Sequence, residues 1–461
     1  MSDRYSRLFA EYAESITYND LSANTIHQVK RRIVDSLGVA MAGFPEDAPM
    51  AVRAFAEDLS NVKGATVWGT ELKAFPDVAA LSNGVALRYL DFNDTYLSKE
   101  PLHPSDMITG LMALCEWGAL PLKDFITAIS VGYEVAVNLC DANSLRSHGW
   151  DHVNYIAIGE ACAAGKLLNL SIKEIENAIS IATIPHAAMR QTRSGELSMW
   201  KGAAAANSVR NAIVSVLLAR RGLTGPNHPF DGEMGIFRQL LGGESFDDFY
   251  LDTLEKKDPP TRIQDTYIKF WPVEYHAQSA VDAALQIYKE IEDPSRIKSV
   301  HLDTFKASYE IIAKDPEKWA PKTRETADHS IQYIVCAALL DGAVDKNTFD
   351  LARIAGQDIK KLMKRTTLKE DDELTRGYPD GIPNRITVNT NDGNIITKEV
   401  RYPRGHPKNA ISDKELEQKF YSNVDWCWTQ KQSEGVLEFL WEIEQKESLD
   451  PLMETMLIQK Q

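Results

Sequence analysis

The chain has 461 residues, 44% apolar and 25% charged, the make-up of an ordinary globule long enough for two or three domains. Lys plus Arg is 51 against 66 Asp plus Glu, a net charge of −15 with a pI near 5.2. That balance excludes a broad basic face for nucleic acid or an anionic membrane, and an anionic substrate would need its own local lysines and arginines.

The five cysteines (Cys115, Cys140, Cys162, Cys336, Cys427) are scattered and form no C-x-x-C. They exclude a cysteine-held cluster or zinc site from this chain alone and suit a reducing compartment. The first residues lack an apolar h-region, and Asp3, Glu11 and Glu14 argue against a transit peptide. No run reaches the ~18 apolar residues of a membrane span. A cytoplasmic protein is expected, with no nucleic-acid or membrane partner.

Up to about residue 250 the pattern is helical. Ile26, Val29, Ile33, Leu37 and Ala40 recur at helical spacing after Ser22 or Asn24 as cap. An apolar helix from Val78 to Leu90 ends in a dense polar stretch, and Pro104 opens the next helix, Met107 to Trp117. Leu122 to Leu139 is apolar nearly all round, which predicts a buried helix. Ser171 and Glu174 form a capping box. Lys201 to Arg221 is alanine-rich, and Gly222 ends it.

The texture changes after Pro259-Pro260. A helix is predicted from Val273 to Ile291, a strand from Ile297 to Phe305 and a helix from Thr323 to Leu340. Ile386–Val388 and Ile395–Thr397 flank Asn391-Asp-Gly-Asn394, a hairpin signal. Strands are expected only here. Helix resumes at the capping box Ser412/Glu415, and Val436, Phe439, Leu440 and Ile443 share a face. The fold class is therefore mostly α. Residues 1–267 and 403–461 form a large all-helical domain from both chain ends, and 268–402 an inserted, smaller α+β lid domain.

Four polar groups stand out. Asp91, Asp94, Thr95 and His103 supply acids, a hydroxyl and an imidazole between apolar helices, suited to acid–base chemistry or equally to helix capping. His148 and His152 have the four-residue spacing of a zinc helix, but Gly149 between them and no third ligand leave acid–base use or a polar turn. The loop from Arg193 brings Lys201 to a helix start, either an anion site or a solvated lysine. Lys269 lies among aromatics at the domain junction, and His276 opens a helix. Arg324 to Tyr333 reads as ordinary capping followed by a core tyrosine.

Together the segments DSLGVAMAGF (35–44), RYLDFNDTYLSKEPLHPSD (88–106), GWDHVNY (149–155), SMWKGAAAANSVRNA (198–212), RRGLTGPNHPFDG (220–232), KFWPVEYHAQSA (269–280) and RETADHSIQYIVCAALLDG (324–342) resemble the MmgE/PrpD family. Its members include 2-methylcitrate dehydratases and cis-aconitate decarboxylases. The resemblance implies a homodimer and a cofactor-free, metal-free site between the two domains. It puts functional positions at Asp91, Thr95, His103, His152, Lys201, Lys269 and Tyr333. The stretch before His103 is longer than in the decarboxylase members and lacks their additional histidine, which is similar to the dehydratase branch.

The implied reaction is dehydration of 2-methylcitrate to 2-methylaconitate in propionate catabolism, with citrate as a further substrate. Lys201 and Lys269 would clamp the tricarboxylate, and His103 and His152 would share the acid and base roles. Asp91 would orient an imidazole, and Thr95, Arg193, Tyr333 and His276 would contact substrate. Decarboxylation of cis-aconitate, epimerisation of small dicarboxylates and a non-enzymatic helical interaction protein are the alternatives.

Overall fold

A computed structural model describes residues 3–459. The fold is mostly α, 59% helix and 9% strand. Two apolar cores divide it. The first draws on residues from Tyr5 to Ile268 and again from Ile411 to Met456; the second spans Val273 to Val388. The chain passes between them beside two contacts. The Ile268 N–H donates to the Gly405 carbonyl (3.2 Å), and Thr95 and Tyr267 exchange both main-chain bonds (2.9 and 2.7 Å).

In the first core the helices form where periodicity and caps agree. Ser22 caps Ala23–Gly43 by accepting from the Thr25 N–H, and the Ser171/Glu174 and Ser412/Glu415 boxes are both made. Leu122–Ala142 is buried from Phe125 to its end, with Lys123 and Asp124 exposed in the first turn. It and Trp200–Ala219 are long and apolar enough by length and mean composition to cross a membrane, though neither is an unbroken apolar run; 100% and 67% of their apolar windows are buried inside the fold.

Helices Pro76–Tyr89 and Trp200–Ala219 pack closely because small residues meet there. A Cβ on Gly84 would lie 2.7 Å from the Ala206 Cβ, and one on Gly202 3.1 Å from the Tyr89 ring. From the tail, Lys419 on helix Asp413–Val424 donates to Asp35 (2.6 Å) and to the carbonyls of Phe92 (3.0 Å) and Lys269 (2.7 Å).

The strands are β1 (Ser60–Thr66), β2 (Lys73–Ala74), β3 (Ile297–Thr304), β4 (Thr366–Glu370), β5 (Asn384–Thr390) and β6 (Ile395–Val400). The second core holds a four-stranded sheet in the order β4-β3-β5-β6; β3 and β4 are parallel, the other pairs antiparallel. Gly393, at φ +87°, makes the β5–β6 turn. The antiparallel pair β1–β2 lies outside that unit, so strands are not confined to it. Polar, half-exposed β1 carries no apolar alternation to announce it.

Two helices differ from their predicted spans. Helix Gln278–Ile291 begins five residues after Val273, following a 3-10 turn at Tyr275–Ala277. The segment from Thr323 is broken into Arg324–Ala327 and Ile331–Asp341, and Ser330 caps the second piece through the Tyr333 N–H.

Candidate active site

Asp91 is the hub. Helix Pro76–Tyr89 ends at Leu90, and Asp91 takes a left-handed conformation (φ 51°) that turns the chain, at a cost of about 1–2 kcal/mol for a residue with a Cβ. Its carboxylate is 1% exposed and surrounded by cations. Arg88 Nη1 donates to Oδ1 at 2.7 Å, Lys269 Nζ also bonds Oδ1, and Lys201 Nζ lies 3.1 Å from Oδ2. His329 Nε2 is 3.3 Å from Oδ2. Burial alone would raise the Asp91 pKa, but Arg88, Lys201 and Lys269 overcome it and hold the group well below the usual carboxylate range.

His103 is locked. Its Nδ1 contacts the Asp94 carbonyl (2.7 Å) and its Nε2 the Arg88 guanidinium (2.8 Å). A guanidinium only donates, so Nε2 accepts and the proton sits on Nδ1. Burial, Arg88 and Lys269 push the ring well below the ordinary histidine value. The imidazole in direct contact with Asp91 is thus His329; His103 reaches Asp91 through Arg88.

His152, at the start of helix Val153–Leu167, has Nδ1 3.2 Å from Asp151 Oδ1. The same oxygen accepts from Arg193 Nε at 3.0 Å. Burial, with Arg193, lowers the His152 pKa to about 3 against the pull of Asp151. His276 Nδ1 contacts Glu274 Oε1 at 2.7 Å. Burial would raise Glu274, but His276 brings it down to about 2. In His329, Nδ1 faces Asp328 Oδ1; burial and Lys201 lower its pKa against Asp328.

These groups border one small cavity between the two cores. Asp91, Thr95, His103, His152, Arg193, Lys201, Lys269 and His276 all line it. Thr95 Oγ1 donates to the Leu102 carbonyl at 3.0 Å. Tyr333 lies elsewhere: its hydroxyl donates to the Thr348 carbonyl (2.6 Å) and its ring packs on Phe349. His148 faces Glu244 (3.6 Å) and does not line this cavity, so the histidine pair is split. Arg88, Arg146, Arg190, Lys318, Glu274 and His329 line it without having been singled out as site residues. Of these, Glu274 and His329 could have been found as acid–histidine neighbours, Glu274/His276 and Asp328/His329.

Seven lysines and arginines line the cavity against two carboxylates, Asp91 and Glu274. Six lining residues carry a buried polar atom that makes no hydrogen bond in the protein: Arg88 Nε, His152 Nε2, Arg193 Nη2, Tyr275 Oη, His276 Nε2 and Lys201 Nζ, the last in ionic contact with Asp91. Such atoms are costly unless something pairs with them. A cationic chamber with open imidazole nitrogens has the means to hold an anion and to move a proton.

The chain belongs to the MmgE/PrpD family: residues 7–248 match the MmgE/PrpD N-terminal domain and residues 271–444 the MmgE/PrpD C-terminal domain. Among its relatives, the 2-methylcitrate dehydratase of Cupriavidus necator is 31% identical over 400 residues, covering 81% of this chain and 80% of that protein. The 2-methylcitrate dehydratase of Escherichia coli strain K12 is 29% identical over 401 residues, with 81% and 80% covered. The cis-aconitate decarboxylase of Mus musculus is 27% identical over 437 residues, with 90% and 86% covered.

Proposed function

We propose that this chain is a hydro-lyase that removes water from 2-methylcitrate to give 2-methylaconitate, with citrate as a second substrate. The carrying observation is one cavity with a large cationic excess, lined by buried atoms on Arg193, His152 and His276 that make no hydrogen bond in the protein. Three carboxylates supply the charge that those groups lack.

In the reaction a base removes the proton from the carbon that bears the methyl group, α to a carboxylate. The C–H pair becomes the C=C bond, the neighbouring C–O bond breaks, and the hydroxyl leaves as water once protonated. Charge builds on the α-carboxylate as the proton departs, so fixed cations beside it lower the barrier. Lys201 and Lys269 take that role; binding exchanges part of their contact with Asp91 for contact with substrate.

His152 is the base: it is neutral, its Nδ1 is oriented by Asp151, and its Nε2 is open to the cavity. His276 is the acid: its Nδ1 is oriented by Glu274 Oε1 at 2.7 Å and its Nε2 makes no hydrogen bond in the protein. His103 holds Arg88 in place, and Thr95 holds the segment that carries Asp91. Arg193 orients Asp151 and offers Nη2 to substrate.

Kinetics of His152→Gln test the assignment. A drop in kcat by about 10³ with little change in KM is expected; turnover near wild type would remove the base from His152. The depressed pKa adds a condition. His152 stays neutral above about pH 3, so no acid limb near 6.5 should belong to it. A limb there that vanishes in the variant would contradict the depressed pKa, not the assignment of the base.

A further inference from the structure

The cavity is not cationic throughout. Leu97, Pro101 and Leu197 are among its lining residues, as is Ile311, which packs against the second core. Leu97 is 5% exposed and packs with Tyr267 and Tyr275. Mutual main-chain bonds between Tyr96 and Leu102 (2.8 and 2.9 Å) close the loop that carries Leu97 and Pro101.

That loop meets the segment carrying Ile311 through a chain of contacts. Glu100, inside the loop, accepts from the Arg146 N–H at 2.8 Å. The Arg146 guanidinium lies 4.0 Å from Glu310, next to Ile311. Ile311 sits on a π-helical turn, Tyr309–Ala313, an irregularity that re-aims side chains at functional sites.

A methyl group gains more from such lining than the hydrogen that citrate carries in its place. We propose that Leu97, Pro101 and Ile311 form an alkyl subsite that seats the methyl group of the substrate and selects 2-methylcitrate over citrate. This rests on the function proposed above and adds the residues that set its preference. The substituent is gripped from both sides of the domain junction, so the side facing Ile311 sets how large an alkyl group is accepted. One methylene in an apolar pocket is worth roughly 10- to 200-fold in discrimination.

The test compares kcat/KM for 2-methylcitrate, citrate and the ethyl homologue in the full-length chain. Wild type should prefer 2-methylcitrate to citrate by about tenfold or more. Ile311→Ala, at a half-buried position, should cut that ratio by about 3- to 10-fold and raise the ethyl homologue relative to 2-methylcitrate. Leu97→Val, a smaller change in the packed wall, should move the methyl-to-citrate ratio the same way. Wild type dehydrating both acids without preference, or ratios within about twofold of wild type in both variants, overturns the subsite and leaves the hydro-lyase standing. Failure of wild type to dehydrate either acid overturns the hydro-lyase reading and the subsite with it.

Discussion

Asp91 gathers Arg88, Lys201, Lys269 and His329 around a single buried carboxylate. Removing its charge leaves those cations facing one another in a dry site. Asp91→Asn should therefore cost roughly 3–5 kcal/mol of stability, read as a fall in urea midpoint. It should also lower kcat/KM by about 100-fold or more, equivalent to about 3 kcal/mol. An unchanged midpoint would mean that the cations are not held by this residue. Asp91, His103, Lys201 and Lys269 were legible because each is polar in an apolar context. Their pairings were not, because a left-handed turn after a helix leaves no periodicity to read. Tyr333 enters the expected site only through the resemblance; read from its residues the segment is capping followed by a core tyrosine, which is how the buried Tyr333 sits. The break at Asp328–Ser330 turns His329 toward the cavity and sends Tyr333 to Thr348.

At the scale of elements, the tail helix Asp413–Val424 buttresses the site from outside it. Lys419 joins Asp35 to the carbonyls of Phe92 and Lys269, one on each chain segment that carries a partner of the Asp91 cluster. Lys419→Met keeps the stem volume and removes the donors. It should destabilise the fold by roughly 3–5 kcal/mol, because Asp35 is left buried and unpaired, and lower kcat more than it raises KM by releasing Lys269. A normal kcat in a destabilised variant would confine Lys419 to the fold. The helices and capping boxes behind this arrangement were readable, since local caps and apolar periodicity agree there. Strands β1, β2 and β4 were not, since they are short or polar and gain their pairing from distant partners. The loop from Leu97 to Leu102 was visible as an additional length of chain; its role as a wall depends on Ile311, more than 200 residues away.

Over the whole molecule, a chain of net charge −15 keeps a cationic chamber between two apolar cores. The surplus of acids is spread outside the chamber, so overall charge gave no hint of what the cavity accepts. Long-range attraction cannot bring in a trianion, and recognition depends on close contact with the buried lysines and arginines. The central claim is that this chamber removes water from a methyl-bearing tricarboxylate. The most direct measurement is a proton NMR time course of the full-length chain with 2-methylcitrate, run beside cis-aconitate with CO2 collected. The account predicts loss of the methine-coupled methyl signal, growth of a vinylic methyl signal from 2-methylaconitate, and no CO2. An inert 2-methylcitrate spectrum, or CO2 evolved from cis-aconitate, would contradict it.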